Sequence, residues 1–237
     1  MPRKKGIYEK LFKRPIDIIC ALLALTVFCW LYALVAILVR VKLGSPVIFK
    51  QYRPGRIDPK TGVEKIFTLY KFRTMTDEKD ENGNLLPDDI RLTKFGKFLR
   101  SFSLDELPEA INILKGDMSV IGPRPQLVRD MVFMTAEQRR RHLVRPGLSG
   151  LAQISGRNAV TWEGKLETDL EYIKKITLKR DVYIVIKTVL KVLKREGVSA
   201  EGMETAEDLG DYLLRLGEID RDAYEKGQTE AKELIGV

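Results

Sequence analysis

The sequence predicts a mixed α/β fold that is mainly helical, with an N-terminal re-entrant membrane helix, amphipathic interfacial helices and a small β element around the candidate site. Three observations support this prediction. Residues 18–39 form one uncharged apolar run, residues 92–102 and 181–196 carry apolar side chains at helical spacing, and only residues 47–51 and 67–75 have the pattern of strands. Helices therefore dominate, and one of them belongs in a membrane.

The charge of the chain is unevenly distributed. The 237 residues include 41 Lys or Arg and 33 Asp or Glu, for a net charge of +8. Residues 200–237 carry −7 of this, which leaves +15 on residues 1–199. A basic body of this kind usually binds an anion, such as nucleic acid, a lipid surface or a phosphorylated substrate. Nucleic acid fits worst, because the basic residues are spread along the chain and the apolar run would have no purpose.

The apolar run is long enough, at about 33 Å as a helix, to cross a bilayer. A cleaved signal peptide is disfavoured, because charged residues from Arg40 onward follow the run instead of a small-residue cleavage site. Basic residues flank both ends, which conflicts with a simple span. We therefore expect a re-entrant helix that bends between Ala24 and Tyr32, with Thr26 available to bond a freed carbonyl. A spanning helix is the alternative, since residues 16–43 contain no Pro or Gly to make the bend.

The chain then divides into three parts: residues 1–43 with the membrane helix, residues 44–199 as the main domain, and residues 200–237 as an acidic helical hairpin. Asp220 is expected to cap the second helix of the hairpin. The sequence leaves three roles open for this tail, which are docking on the basic body, joining subunits and binding a partner.

Within the main domain, residues 53–64 are predicted to form a loop between the two strands. Leu69, Lys71 and Arg73 would share one face of the second strand. A helix is expected over residues 92–102 and another over residues 103–115. The helix over residues 181–196 either packs on the core or lies in the membrane interface, and the sequence does not choose between these positions.

Residues 103–108, with the sequence SLDELP, contain the first candidate for chemistry. Ser103 and Glu106 have the spacing of a capping box, in which Asp105 merely favours the helix dipole, and the hexapeptide alone favours this structural interpretation. The alternative is that Asp105 and Glu106 are a pair of functional carboxylates. In both cases they lie at the positive end of a helix, where a phosphate also binds favourably.

Two further stretches present arginines on restricted or glycine-rich backbone. In residues 121–125, IGPRP, each Pro restricts itself and the residue before it, so Arg124 lies on a stiff extended chain suited to gripping an anion. Residues 145–158 contain three glycines, which permit close approach of a ligand to the backbone. Arg145 and Arg157 in this stretch offer bidentate contacts to phosphate.

Together these segments combine one acidic pair with several fixed cations on a basic body at a membrane. His142, which follows three arginines, is expected to face solvent or an anion and not to act as a general base. The combination favours metal-assisted chemistry on a phosphate. The alternative is a non-catalytic membrane-anchored module that binds anionic lipids or a glycan-assembly complex. Asp105 and Glu106 discriminate between the two, because a lipid-binding module has no use for a carboxylate pair.

The chain resembles the monotopic phosphoglycosyl transferases, also called the bacterial sugar transferase family, in their minimal catalytic form. The resemblance covers roughly residues 13–194 and is carried by KFRTM at 71–75, SLDELP at 103–108, KGDMSVIGPRP at 115–125, RPG at 145–147 and GRN at 156–158. Several such motifs in order are specific to the family. Members often carry a Ser-Pro pair where the membrane helix bends, whereas this chain has Cys29 and Trp30 near that place.

The resemblance implies an enzyme that transfers a phospho-sugar from a UDP-sugar to polyprenyl (undecaprenyl) phosphate through a covalent aspartyl intermediate, giving a polyprenyl-diphosphate sugar and UMP. It would act at the cytoplasmic face of the bacterial inner (plasma) membrane, as a monotopic protein, in the first membrane step of surface glycan biosynthesis, such as that of exopolysaccharide or lipopolysaccharide. Its implied partners are these two substrates and membrane lipids, with no nucleic acid, and a homo-oligomer is left open.

The resemblance also assigns roles to the candidate residues. Asp105 would be the nucleophile and a ligand of Mg²⁺, and Glu106 would be its acid/base partner. The residues expected to bind substrate are Lys71, Arg73, Arg124, Arg145, Gln153 and Arg157.

Overall fold

The computed structural model describes residues 4–155, 161–194 and 207–236. The described residues confirm a mixed α/β fold that is mainly helical, with two small two-stranded sheets. The strands are β1 Ile48–Ile57, β2 Glu64–Phe72, β3 Ser119–Ile121 and β4 Gly147–Ser149. The helices are α1 Lys13–Val27, α2 Cys29–Leu43, α3 Asp88–Arg91, α4 Lys94–Ser101, α5 Glu109–Lys115, α6 Val128–Met131, α7 Ala136–Arg139, α8 Leu151–Ser155, α9 Trp162–Lys174, α10 Leu178–Lys194, α11 Leu209–Leu216 and α12 Arg221–Ile235.

The N-terminal apolar run forms two helices that meet at a sharp bend. In the described part of the chain no helix is by itself long and apolar enough to cross a membrane, but the segments Tyr8–Val27 and Cys29–Leu43 meet that requirement together and are bent by 65°. Phe28 lies at the break, inside the predicted interval, and its carbonyl accepts the first hydrogen bonds of α2. Thr26 Oγ1 donates to the carbonyl of Leu22 (2.9 Å) inside α1 and not to a carbonyl freed at the break. Bonding of this kind favours helix bending.

The two helices of this bent pair pack on the same folded body. Ala21 of α1 packs with Phe67 and Leu69 of β2 and with Ile113 of α5. At the far end of α2, the cluster of Val35, Val39, Leu43, Phe72 and Leu99 is buried. Burial of about 1.5–3 kcal/mol per large apolar side chain makes these clusters the main attachment of the membrane segment to the body.

The β1–β2 hairpin is antiparallel and longer than predicted. Ile48 pairs with Phe72, and the register shifts at a bulge between Pro54 and Ile57. The prediction of a loop over residues 53–64 is therefore wrong for its first five residues and for Glu64, which begins β2. Pro is tolerated there because a two-stranded hairpin has open edges, so a missing N–H need not break the ladder.

The predicted helix over residues 103–115 is broken in two. A 3₁₀ turn at Leu104–Glu106 is followed by α5, which ends at Gly116 with φ 89°. Glycine suits this left-handed position at a helix C-terminus. The break occurs because Pro108 cannot donate a backbone hydrogen bond inside a continuous helix.

The apolar face of α10 is solvent-exposed and does not pack on the core. Leu193 is 72% exposed, and Val182, Ile186 and Val189 are about half exposed. The helix is attached to the body through other residues, namely Ile184, which is fully buried, and Thr188, whose hydroxyl is 2.6 Å from that of Ser149. Of the two positions left open by the sequence, the core-facing one is therefore wrong for this face.

The C-terminal segment of residues 207–236, here called the tail, forms α11 and α12 and docks on the main domain. Ala231 packs with Val128 and Met131 of α6. Asp220 caps α12 as predicted, by accepting a hydrogen bond from Ala223 N (2.7 Å). Of the three roles considered for this segment, docking on the body is the one that the structure contains.

His142 lies in the interior, so the expectation that it faces solvent is wrong, and the anion that it faces is the carboxylate of Glu64. Its Nδ1 is 3.1 Å from Glu64 Oε1, and its Nε2 is 3.3 Å from Arg141 Nη1. Burial lowers the pKa of His142 to about 4, which outweighs the opposing effect of Glu64. The neutral ring then donates from Nδ1 and accepts at Nε2. Hydrogen bonds from His142 and Arg139 outweigh the burial of Glu64 and lower the pKa of Glu64 to about 2.

We predict that His142→Asn reduces the loss of stability on acidification. Between about pH 6.5 and pH 4 the unfolded chain binds a proton at His142 that the folded protein does not, so this residue lowers stability as pH falls, by up to about 1.4 kcal/mol per pH unit. The melting temperature should therefore fall less between pH 7 and pH 5 in His142→Asn than in the native protein, measured in one detergent. Equal falls in both proteins would contradict the assignment of a buried neutral imidazole.

Candidate active site

Asp105 and Glu106 share the 3₁₀ turn between α4 and α5. Ser103, just before the turn, has φ 54° and is the one non-glycine residue of the described chain with a positive φ. A left-handed backbone at a residue with a side chain is strained, and such strain is concentrated at functional sites. The capping box is wrong, since the Ser103 side chain makes no capping bond and Glu106 is turned toward two cations. Charge-assisted pairs are stronger than a neutral cap.

Lys71 and Arg124 hold Glu106 between them. Lys71 Nζ is 2.9 Å from Glu106 Oε1, and Arg124 Nη2 is 2.6 Å from the same oxygen. Lys71 also lies 3.3 Å from Glu109 Oε1. Strand β2 supplies the lysine, the loop after β3 supplies the arginine, and α5 supplies Glu109. Lys71 therefore pairs with Glu106 and Glu109, and Arg124 pairs with Glu106. The oxygens of the neighbouring Asp105 take part in none of these short ion pairs.

The environment separates the proton affinities of the three carboxylates. Burial opposes ionisation of Glu106, but Arg124 and Lys71 outweigh it and hold the pKa of Glu106 well below its usual range. Burial raises the pKa of Asp105, and the neighbouring Glu106 raises it further against the effect of Lys71. Burial, aided by Glu106, raises the pKa of Glu109 to about 7. Near neutral pH, Glu106 is thus ionised, while Glu109 exchanges its proton in this range and Asp105 holds a proton more readily than an ordinary aspartate.

The backbone of the Arg124 loop is fixed by two arginines, of which Arg141 is buried and Arg53 is partly buried. Arg141, which is 1% exposed, donates from Nη2 to the carbonyl of Arg124 (2.5 Å) and to Asp169 Oδ2 (2.6 Å). Arg53 Nη1 donates to the carbonyl of Pro125 (3.0 Å). Asp169 in α9 therefore positions Arg141, and Arg141 in turn positions the loop that carries the Arg124 guanidinium.

Two other predicted substrate-binding residues, Arg73 and Gln153, make their described contacts away from the Asp105 turn. The Arg73 guanidinium is occupied by hydrogen bonds to nearby backbone, since it donates to the carbonyls of Met75 and Ser45 (both 2.8 Å). Gln153 donates to the carbonyl of Leu148 (3.1 Å). Arg157 lies outside the described residues. None of the described contacts joins Arg73 or Gln153 to the Asp105 turn.

Arg145 lines a separate cleft of about 200 Å³ at the other end of β2 and α5, together with Arg56 and Lys65. Its Nε donates to the carbonyl of Gly116 (2.8 Å). Lys65 lies six residues before Lys71 on β2, which corresponds to about 20 Å along a strand. The residues that line this cleft include neither Asp105 nor Glu106.

Sequence reasoning did not identify Glu109, Arg141, Asp169 or Arg53 as part of the site. Glu109 had a usable signal, because it follows Glu106 by three positions and falls on the same side of a helical turn. The other three had none, since Arg141 is one arginine among three and its partner Asp169 lies 28 positions away in the chain.

The arrangement is suited to binding and reacting with phosphates. Lys71 and Arg124 lie beside Asp105 in fixed ion pairs and can offset the negative charge of a phosphoryl group, while the Asp105 carboxylate can act as a nucleophile toward it.

The chain belongs to the bacterial sugar transferase family, whose sequence pattern matches residues 8–195. It is 48% identical over 197 residues to a protein of Bacillus subtilis named uncharacterized sugar transferase EpsL, a match that covers 83% of this chain and 95% of that protein. The chain is therefore an enzyme of the sugar transferase class.

Two further relatives carry specific names. One is a UDP-N-acetylgalactosamine-undecaprenyl-phosphate N-acetylgalactosaminephosphotransferase of Aeromonas hydrophila, 38% identical over 76% of this chain and 43% of that protein. The other is a UDP-glucose:undecaprenyl-phosphate glucose-1-phosphate transferase of Caulobacter vibrioides, 34% identical over 76% of this chain and 69% of that protein. The chain thus spans less than half the length of the Aeromonas relative.

We predict that Arg141→Lys lowers kcat about tenfold, because lysine cannot reach Asp169 and the Arg124 carbonyl with one planar group, and small misplacements of a binding group are costly. The measurement is steady-state release of the nucleotide product. Arg140→Lys is the matched control, since Arg140 is adjacent but exposed and pairs with Glu137. Equal kcat values in the two variants would contradict a positioning role for Arg141.

Proposed function

We propose that the protein transfers a phospho-sugar from a UDP-sugar to undecaprenyl phosphate, giving undecaprenyl-diphosphate sugar and UMP through a covalent intermediate on Asp105. The names of the relatives from Aeromonas and Caulobacter support the two substrates. The observation that carries the proposal is the arrangement around Glu106. Lys71 and Arg124 converge on Glu106, directly beside Asp105, whose pKa is raised.

In the first half-reaction, an Asp105 oxygen attacks the phosphorus that carries the sugar. The bond from this phosphorus to the bridging oxygen of the diphosphate breaks, and UMP leaves with the bond electrons. In the second half-reaction, a phosphate oxygen of undecaprenyl phosphate attacks the same phosphorus and displaces the Asp105 carboxylate. Both half-reactions bring an anion toward a phosphoryl group, so Lys71 and Arg124 are needed in each.

Glu106 then has an electrostatic task. As an ionised carboxylate it holds the two cations at fixed positions, and it is a poor proton donor at neutral pH. The same low pKa makes Glu106 a weak base, so the acid/base role that the family resemblance assigns to it draws no support from these ion pairs. Glu109, with a pKa of about 7, is better suited to exchanging a proton near neutral pH.

Mg²⁺ fits the site as a cation shared with the substrate. Among the described residues no group of three or more His, Cys, Asp or Glu side chains could hold a metal ion. Mg²⁺ is commonly bound by one or two carboxylates plus substrate phosphates, and Asp105 is the carboxylate outside the Lys71 and Arg124 ion pairs. When bound, Mg²⁺ would offset the charge of the diphosphate.

A re-entrant arrangement of the bent helix pair is supported by its attachments. On the entering side, Arg14 donates to the carbonyls of Ile113 (2.6 Å) and Leu114 (2.9 Å). On the returning side, Tyr32 Oη donates to the carbonyl of Leu107 (2.8 Å). Both sides are thus bound to one body, while Phe28 and Trp30 at the bend are exposed. With the bend in the lipid, the chain enters and leaves by the same face, and the exposed apolar face of α10 lies in the interface.

We predict that Asp105→Asn abolishes UMP release without unfolding the protein. Because burial raises the pKa of Asp105, its charge opposes folding at neutral pH, and the variant should melt at or above the melting temperature of the native protein.

The assay uses UDP-sugars, Mg²⁺ and undecaprenyl phosphate, with UMP as the readout and an arm with a chelator to test the metal. UMP release by folded Asp105→Asn protein would sink the assignment of the nucleophile. A catalytically silent native protein that binds anionic vesicles would favour the non-catalytic module.

We predict that a cysteine at position 6 is shielded from the outside of the cell. In a re-entrant protein the basic N-terminal leader, which contains this position, stays on the cytoplasmic face, because short basic flanks resist translocation. The test is labelling of Gly6→Cys by an impermeant thiol reagent in intact cells, in a variant in which Cys20 and Cys29 are replaced by serine. Permeabilised cells are the control and should label. Labelling in intact cells would establish a span.

A further inference from the structure

The tail lies outside the residues that match the family, which end at 195, and yet it is fastened to the segment that follows Arg124. We propose that the tail is a positioning element for Arg124, acting through α6. The proposal rests on the proposed function, because it assigns the tail to the same site.

The first link is a buried carboxylate that joins the two segments. Asp130, which is 2% exposed, accepts a hydrogen bond from Leu127 N at Oδ2 and another from Leu209 N at Oδ1, both at 2.9 Å. One side chain therefore caps the start of α6 and the start of α11 together. Removal of one partner would leave a buried polar group unsatisfied, which costs about 1–3 kcal/mol.

The second link is an aromatic ring held by the tail. A Cβ atom added at Gly210 or at Gly227 would lie 2.5 Å from the Phe133 ring, so a larger residue at either of these positions of α11 and α12 would have to displace the ring. The ring also stacks on Tyr224, with 5.9 Å between centroids. Phe133 lies two residues after Met131, the last residue of α6, and its place between two glycines fixes the chain just past the far end of that helix.

The third link is ionic and lies at the edge of the contact. Arg129 of α6 pairs with Asp208 at 2.6 Å, and Trp162 Nε1 donates to the carbonyl of Glu207 (3.1 Å). The start of the tail is thus held by α6 and by α9, the same helix that carries Asp169.

Fixing α6 constrains Arg124 because the connection between them is short and stiff. Only residues 125–127 separate Arg124 from α6. Pro123 and Pro125 restrict their own backbone and that of the residues before them. The N–H of Leu127, the last connecting residue, is itself bonded to Asp130. A displacement of α6 therefore reaches Arg124 with little chain to absorb it.

The test is Gly227→Leu in the full-length protein. Leucine has a better helix propensity than glycine, so any harm must come from its clash with Phe133 and not from α12 itself. We expect a fall in kcat of about ten- to a hundredfold, as for other small misplacements of a catalytic group. Lys226→Leu is the matched control, because Lys226 is the exposed neighbour on the same helix, and it should keep the native kcat.

A double-mutant cycle separates positioning of Arg124 from general damage. If the tail acts through the Arg124 guanidinium, Gly227→Leu should have little further effect in an Arg124→Lys protein, whereas independent damage would be additive. Phe133→Ala removes the same contact from the other side and serves if Gly227→Leu does not fold. Native kcat in folded Gly227→Leu or Phe133→Ala protein, or additivity in the cycle, would overturn the proposal. The proposed function fails separately, through UMP release by Asp105→Asn.

Discussion

The structure depends on holding three carboxylates of one short segment, residues 105–109, close together in a buried site. Asp105, Glu106 and Glu109 repel one another, and burial makes each charge more costly. Lys71 and Arg124 offset this cost only while they stay within about 3 Å of Glu106. Each of these two cations is supplied by a separate part of the chain. The rest of the fold keeps the two parts in position relative to each other.

The lysine and the arginine are held by different means. Lys71 is fixed by the β1–β2 hairpin, whose apolar face packs on α1 and α5, so its position follows from ordinary core packing. Arg124 lies on an extended loop in which Pro123 and Pro125 are buried. The loop is also held by hydrogen bonds to backbone carbonyls, from the buried Arg141 to Arg124 and from the partly buried Arg53 to Pro125. The buried ion pair of Arg141 with Asp169 contributes little net stability but is costly to break, which suits a role in fixing one geometry.

The sequence predicted features that depend on neighbouring residues and missed contacts between residues that lie far apart in the chain. The bend near Phe28 follows from the basic residues on both sides of the apolar run, and the two strands and the tail hairpin follow from alternation and caps. Lys71, Arg124 and the Asp105 turn were named from motifs, and the fold brings them together. The burial of His142 beside Glu64 was mispredicted, because a run of three arginines normally faces solvent. Nothing in a local pattern indicates that one of those arginines pairs with a carboxylate on another helix.

The turn that carries Asp105 and Glu106 is tied directly to the bent helix pair. Tyr32, four residues past the bend, donates to the carbonyl of Leu107, which is the residue after Glu106. Leu104 and Leu107 pack against the cluster of Val35 and Val39 in the helix that follows the bend. Under the proposed function the acceptor phosphate is tethered to a lipid chain, so it could reach only a carboxylate held at headgroup level. On that proposal, a change in the bend would move Asp105 relative to the acceptor phosphate even if every contact within the site were kept.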